Sequence, residues 1–189
     1  MIMSANADAV EDWSRIHARE CPLIVEQRTP PVPDTVIAPW LERAPFAIRA
    51  EGNFATVMAQ LAELPDALCT DVAVLVQRFM LLMQTDAVRV RMEGITTNAC
   101  KKVHADYTDV RLITTYSGPG TDYAPNGVAD DGLECYLDRV PTGAIALFKG
   151  RTYASDHLPC FHRSPPVGDT GEKRLVLVID TLLQGTLKD

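Results

Sequence analysis

The spacing of hydrophobic residues changes partway along the chain. Between Phe54 and Leu64 the apolar residues Phe54, Val57, Met58 and Leu61 share one side of a helix. Asn53 stands where an N-cap side chain accepts a backbone N–H, and Pro65 lies just past the end. A second helix is predicted from Thr70, a capping residue followed by Asp71 in the positively polarised first turn. Val72, Leu75, Val76, Phe79, Met80, Leu82 and Met83 give it a broad apolar face, as in a core-packing helical pair. Beyond Ala87 the period falls to two, with Val88, Val90 and Met92 alternating with arginines. Further strands are predicted at Val110–Tyr116, Leu133–Leu137, Ala144–Phe148 and Arg174–Asp180. Gly118-Pro119-Gly120, Pro125-Asn126-Gly127 and Pro141-Thr142-Gly143 separate them as turns. Many short strands without intervening helices point to a mainly β (α+β) chain built as a barrel or jelly roll.

The region before the helices has another texture. Pro22, Pro30, Pro31, Pro33, Pro39 and Pro45 each fix φ and remove a backbone donor. The segment therefore reads as extended chain wrapped on a body, with Leu23, Ile24, Val25, Val36, Ile37 and Trp40 as anchors. The expected organisation is a Pro-rich leader over 1–50, a helical extension over 51–86 and a double-stranded β-helix core over 87–189.

Composition narrows the function. The 189 residues carry a net charge of −7, which argues against partners such as nucleic acid and anionic membranes. Aromatics are only 6% of the chain, too few for a base-stacking platform. No apolar run is long enough to cross a bilayer, and Asp8, Glu11 and Asp12 sit where a signal peptide would be basic and then apolar. Five scattered cysteines without a CxxC pair fit reduced thiols, so a cytoplasmic location is expected.

The chemistry lies in the strand-rich half. In His104-Ala105-Asp106 an extended backbone turns the imidazole and the carboxylate to one side. His162 offers a second imidazole. Two histidines and a carboxylate occupy half of an octahedral metal and leave the rest open, the ligand set of non-haem Fe(II) oxygenases. His157 competes with His162 for that place, and Cys160 is a candidate soft ligand or, more simply, a buried thiol. His17 reads as a solvated side chain. Neither Ser117 nor Ser164 has the context of an activated nucleophile.

After Gly143, the buried segment Ala144–Phe148 is followed by His162, Pro165-Pro166-Val167, Gly171 and then Arg174, 12 residues beyond His162. This order resembles the C-terminal half of the 2-oxoglutarate/Fe(II)-dependent dioxygenases. The strings Arg111-Leu-Ile-Thr-Thr-Tyr116, Gly118-Pro-Gly-Thr121 and His162-Arg-Ser-Pro-Pro166 are more closely similar to a bacterial family, the domain-of-unknown-function family 1826. The resemblance implies a double-stranded β-helix fold, with His104, Asp106 and His162 as iron ligands. It implies Arg174 as the anchor for the distal carboxylate of 2-oxoglutarate, which a guanidinium grips with two donors. Thr114 and Tyr116, on one parity of their strand, are candidates to add a hydroxyl to that co-substrate. Arg111, on the other parity, reads as structural or superficial, and Arg163, beside His162, should point away from the site. The implied activity is Fe(II)- and 2-oxoglutarate-dependent oxygenation of an unidentified substrate, a small molecule or a protein. The alternative is a cupin-like protein holding zinc or manganese on the same ligands, with a role in metal homeostasis.

Overall fold

The computed structural model describes residues 13–125 and 136–182. The leader supplies β1 (Leu23–Glu26), α1 (Asp34–Glu42) and β2 (Phe46–Gly52). Helices α2 (Phe54–Gln60) and α3 (Asp66–Met83) follow. The remainder is strand and loop: β3 (Val88–Ile95), β4 (Val110–Ser117), β5 (Asp122–Tyr123), β6 (Asp138–Arg139), β7 (Ile145–Lys149), β8 (His162–Arg163) and β9 (Arg174–Thr181). Six strands pair antiparallel in the order β1-β7-β4-β9-β3-β2, and three short ones form a second sheet in the order β6-β5-β8. The chain is a mainly β double-stranded β-helix with its helices against the large sheet.

Alternation in the large sheet divides the interior in two. Val88, Val90, Met92, Leu112, Leu147, Leu177 and Ile179 face the helices and join Leu68, Val72, Leu75, Val76 and Phe79 of α3 in the main core. Ile113, Ala146, Phe148, Val176 and Val178 face the other way and form a smaller core with Val140 and Cys160. The second face carries the chemistry described below.

Four elements differ from the sequence reading. The strands of the large sheet are not confined to residues after 87, because β1 pairs with β7 at one edge and β2 pairs with β3 at the other. Prolines flank these segments without falling inside them, so the ladder loses no donor. Helix α1 accommodates Pro39 and seats Ile37 and Trp40 in the core. Helix α3 begins at Asp66 after Pro65, one turn before Thr70. Thr70 sits inside it and donates its hydroxyl back to the Asp66 carbonyl at 2.8 Å. The predicted cap at Asn53 is present, with its Oδ1 accepting from the Thr56 N–H at 2.9 Å. Most of the strand expected at Leu133–Leu137 falls outside the described residues, and the strand nearest to it is β6. Among the described residues no helix is long and apolar enough to cross a membrane.

Candidate metal centre

His104 lies in the long connection between β3 and β4, and a backbone bridge fixes it there. Its N–H donates to the His162 carbonyl at 2.9 Å, and the His162 N–H returns the bond at 2.8 Å. The two rings are thereby held with centroids 5.1 Å apart. Phe148 packs on the His162 ring at 4.5 Å, which limits its rotation. Asp106 is fixed by its backbone, whose carbonyl accepts from the Arg151 N–H at 2.8 Å.

The donor atoms of His104, Asp106 and His162 lie within 4.8 Å of one another. The His162 Nε2 is 3.1 Å from Asp106 Oδ2, and the His104 Nε2 is 3.5 Å from Asp106 Oδ1. Each imidazole is oriented from behind. The Nδ1 of His104 is 2.8 Å from the Lys102 carbonyl, and that of His162 is 3.2 Å from the Cys160 carbonyl. A carbonyl only accepts, so a neutral ring places its proton on Nδ1 and leaves a lone pair on Nε2. Two lone pairs then face a carboxylate, and Asp106 Oδ2 is buried without a hydrogen-bond donor. A divalent cation resolves that conflict, and the donor set suits one. Burial works to raise the Asp106 carboxyl, but the His162 and His104 imidazoles, wherever they carry a proton on Nε2 in place of a metal, and the Arg111 guanidinium outweigh it and hold the group at about 2.

Arg111, on the cavity side of β4, is part of this centre. Its Nη1 donates to Asp106 Oδ1 at 2.7 Å, while Nε and Nη2 hold both oxygens of Asp180 at 2.7 and 2.9 Å. This role was not visible in the sequence. The parity of β4 groups Arg111 with Ile113 and Thr115, but the turn at residues 107–109 breaks the phase between His104-Ala-Asp106 and the strand.

Arg174 opens β9 at 2% exposure. Its Nε donates to the Pro119 carbonyl at 2.6 Å, and its Nη1 to Ser164 Oγ at 2.5 Å. Its Nη2 meets Thr115 Oγ1 and Thr121 Oγ1, each at 3.3 Å. All of these acceptors are neutral, and among the described residues Arg174 makes no ion pair. Burial pushes its pKa down to about 10. The surrounding backbone is shaped around it. A bulge between Thr115 and Ser117 interrupts the β4–β9 register, and Gly118, at φ +80°, lies so near that a Cβ would stand 2.1 Å from the Lys173 carbonyl. The triad and Arg174 line one cavity of about 460 Å³, together with Arg91, Glu93, Ile113 and Thr121 among others.

Two candidates for the co-substrate lie elsewhere. Thr114 and Tyr116 point from β4 into the helix side of the sheet. The Tyr116 hydroxyl donates to Asp71 at 2.6 Å, and Thr114 Oγ1 accepts from Arg28 at 3.5 Å. Their parity places them behind the cavity wall, and the hydroxyls that reach Arg174 belong to Thr115, Thr121 and Ser164. His157 stays outside the cluster, with its Nδ1 at 2.9 Å from Lys149 Nζ and its ring against Tyr153. Cys160 is buried in the smaller core, where burial and the nearby Asp106 charge push its thiol up to about 12, a poor state for ligation. Arg163 turns to Asp122, and His17 pairs with the Tyr153 hydroxyl at 2.6 Å.

Among solved structures, the chain is similar to a Pseudomonas putida prolyl-4-hydroxylase, with a TM-score of 0.55, 12% identity and coverage of 93% of this chain and 94% of that one. It is also similar to a putative oxygenase from Shewanella oneidensis, with a TM-score of 0.54, 12% identity and coverage of 92% and 86%. At this identity the likeness is one of fold. No curated protein sequence matches the chain. The model of the family described as "Protein of unknown function (DUF1826)" matches residues 8–180, and the chain belongs to that family.

Proposed function

We propose that the protein is an oxygenase that uses Fe(II) and 2-oxoglutarate. The observation that carries this reading is a buried guanidinium, Arg174, that has no carboxylate partner among the described residues and lies in the same cavity as the His104–Asp106–His162 cluster. A metal-storage or structural metal site needs only the cluster. A co-substrate with a metal-chelating end and a distal carboxylate needs both. The similarity in fold to a prolyl-4-hydroxylase and a putative oxygenase supports the same class of reaction.

When bound, iron and 2-oxoglutarate supply oxidative decarboxylation coupled to oxidation of a substrate. The chain's own groups prepare for that chemistry. His104 and His162 present neutral nitrogens, and Asp106 lowers the net charge of the centre by one. Arg174 grips the distal carboxylate, while Ser164, Thr115 and Thr121 hold its fork in place. Ile113, Val176 and Val178 make that end of the cavity apolar, which excludes water and strengthens the ion pair. Phe46, Ala47, Arg91 and Glu93 also line the cavity, leaving a wall for a substrate.

The test is an anaerobic titration of 2-oxoglutarate into Fe(II)-loaded protein, read by the visible charge-transfer band of the chelated co-substrate. A band in wild type that is absent in His104→Ala is expected. Bound metal without a band overturns the oxygenase reading and leaves a cupin-like protein of iron, zinc or manganese.

A further inference from the structure

Arg111 is joined to Asp106 through one oxygen only, and the details of that contact bear on how many positions a metal keeps free. The backbone of Asp106 is immobilised. Its carbonyl accepts from the Arg151 N–H, and the neighbouring Ala105 carbonyl accepts from Arg151 Nε at 3.3 Å. The remaining freedom is rotation of the carboxylate about its terminal bond, a torsion with broad, shallow preferences. Arg111 removes it. Nη1 holds Oδ1 at 2.7 Å, and Oδ2 is left facing His162 Nε2 at 3.1 Å, buried and without a donor.

The guanidinium itself cannot follow a rotating carboxylate. Its other edge is locked to Asp180 by two parallel bonds of 2.7 and 2.9 Å. Arg111 and Asp180 stand directly opposite each other in the β4–β9 ladder, so the backbone fixes the pair as well. Arg91 Nη2 approaches Asp180 from the β3 side at 3.9 Å, and Arg91 in turn lies 3.4 Å from Glu93. The charged row Asp106–Arg111–Asp180–Arg91–Glu93 thus runs across β4, β9 and β3 with its signs alternating.

We infer that Arg111 is a positioning residue that restricts Asp106 to one donor oxygen and so keeps a coordination position open. This rests on the reading of the cluster as an iron centre. An octahedral ion held by two imidazoles and one carboxylate oxygen has three positions left. A chelating co-substrate takes two, and one remains for a further small ligand. A carboxylate free to offer both oxygens fills that last position. Metal affinity alone is a poor readout, because removing Arg111 also removes a cation that repels the metal.

The experiment measures nitric oxide binding, by the electron paramagnetic resonance of the Fe(II)–nitrosyl, in protein loaded anaerobically with Fe(II) and 2-oxoglutarate. The variants are Arg111→Gln, Arg111→Lys and the double change Arg111→Gln with Asp180→Asn. The double variant avoids leaving Asp180 buried and unpaired, and so keeps the test open where Arg111→Gln alone does not fold. In Arg111→Gln and in the double variant, the co-substrate charge-transfer band is expected to persist while nitric oxide affinity falls by about tenfold or more, the scale of disrupted support around a metal ligand. Arg111→Lys, which keeps a cation within reach of Oδ1, is expected to recover most of it. Undiminished nitric oxide binding in the variants overturns the inference alone. A wild type that binds neither Fe(II) nor 2-oxoglutarate overturns the iron reading and this inference with it.

Discussion

An arginine packs against each face of the large sheet, Arg28 half-buried and Arg174 buried, and the two are treated differently. On the helix side, Arg28 is answered by a carboxylate. Its Nη1 and Nη2 hold both oxygens of Asp71 at 2.5 and 2.9 Å, its Nε donates to the Gly143 carbonyl at 2.9 Å, and Tyr116 completes the carboxylate. Burial works to lower the pKa of Arg28, yet Asp71 outweighs it and the net shift is upward. On the cavity side, Arg174 is more deeply buried, meets only a carbonyl and three hydroxyls, and is pushed down to about 10. The first cluster is complete within the chain and serves to pin the leader to α3 and β4. Among the described residues the second has no counter-charge, the place that the proposed co-substrate carboxylate would fill. Arg28 is thus accounted for by its own carboxylate, whereas Arg174 meets only neutral acceptors among the described residues.

The contrast is sharpest when each side loses one member. Asp71→Ala leaves the buried Tyr116 and the half-buried Arg28 without their acceptor, and a loss of about 3 kcal/mol, the lower end for a broken buried pair, is expected in denaturant unfolding. Little change there shows that the leader is not fastened by this pair. His162→Ala is expected to leave the fold intact by circular dichroism and to weaken Mn(II) binding by at least about 100-fold, beyond the usual cost of losing a supporting residue. A smaller loss transfers ligation to another group. The metal-free protein should also show the Asp106 charge in its acid limb. Because the folded pKa is depressed to about 2, its contribution is present above the unfolded value near ~3.9 and is lost as pH falls from there through about 2. About 2 kcal/mol of acid-sensitive stability is therefore expected in wild type and missing in Asp106→Asn, measured by urea unfolding between those limits. The smallest effect on stability belongs to Arg174→Met, expected within about 1 kcal/mol of wild type because an apolar chain replaces a buried charge that makes no ion pair among the described residues. That variant should nevertheless lose the stabilisation that saturating 2-oxoglutarate gives the metal-loaded wild type, about 2.7 kcal/mol at 100 times Kd. Equal ligand-induced melting shifts in the two proteins remove Arg174 from the co-substrate site.

Period and spacing made some of this legible in the sequence. The two-residue alternation at Val88–Met92 marked β3, the apolar run at Ala144–Phe148 marked β7, and Asn53 marked a true helix start. The spacing in His104-Ala-Asp106, and the family resemblance that singled out Arg174 beyond His162, picked out groups that the structure brings to one cavity. Thr114 and Tyr116 were beyond such reasoning, since alternation gives the period of a strand but not which face is which. The same gap hid Arg111, whose side of β4 is set by pairing with β9 rather than by anything nearby in the chain. Strands β1 and β2 were masked by the prolines around them, because four and seven residues of pattern carry little weight beside six ring-locked positions.

The place of β9 in the large sheet has a consequence for assembly. It follows every other strand in the described sequence, yet it lies between β4 and β3 and joins the two halves of the sheet. Until it is added, β1-β7-β4 and β3-β2 are separate ribbons with open inner edges, and pairing across them spans long stretches of chain. The residue that begins β9 is Arg174. A chain emerging from the ribosome can therefore form its helices and hairpins early, but the Arg174 end of the cavity closes only when β9 is added, so a partly made chain lacks that half of the candidate site.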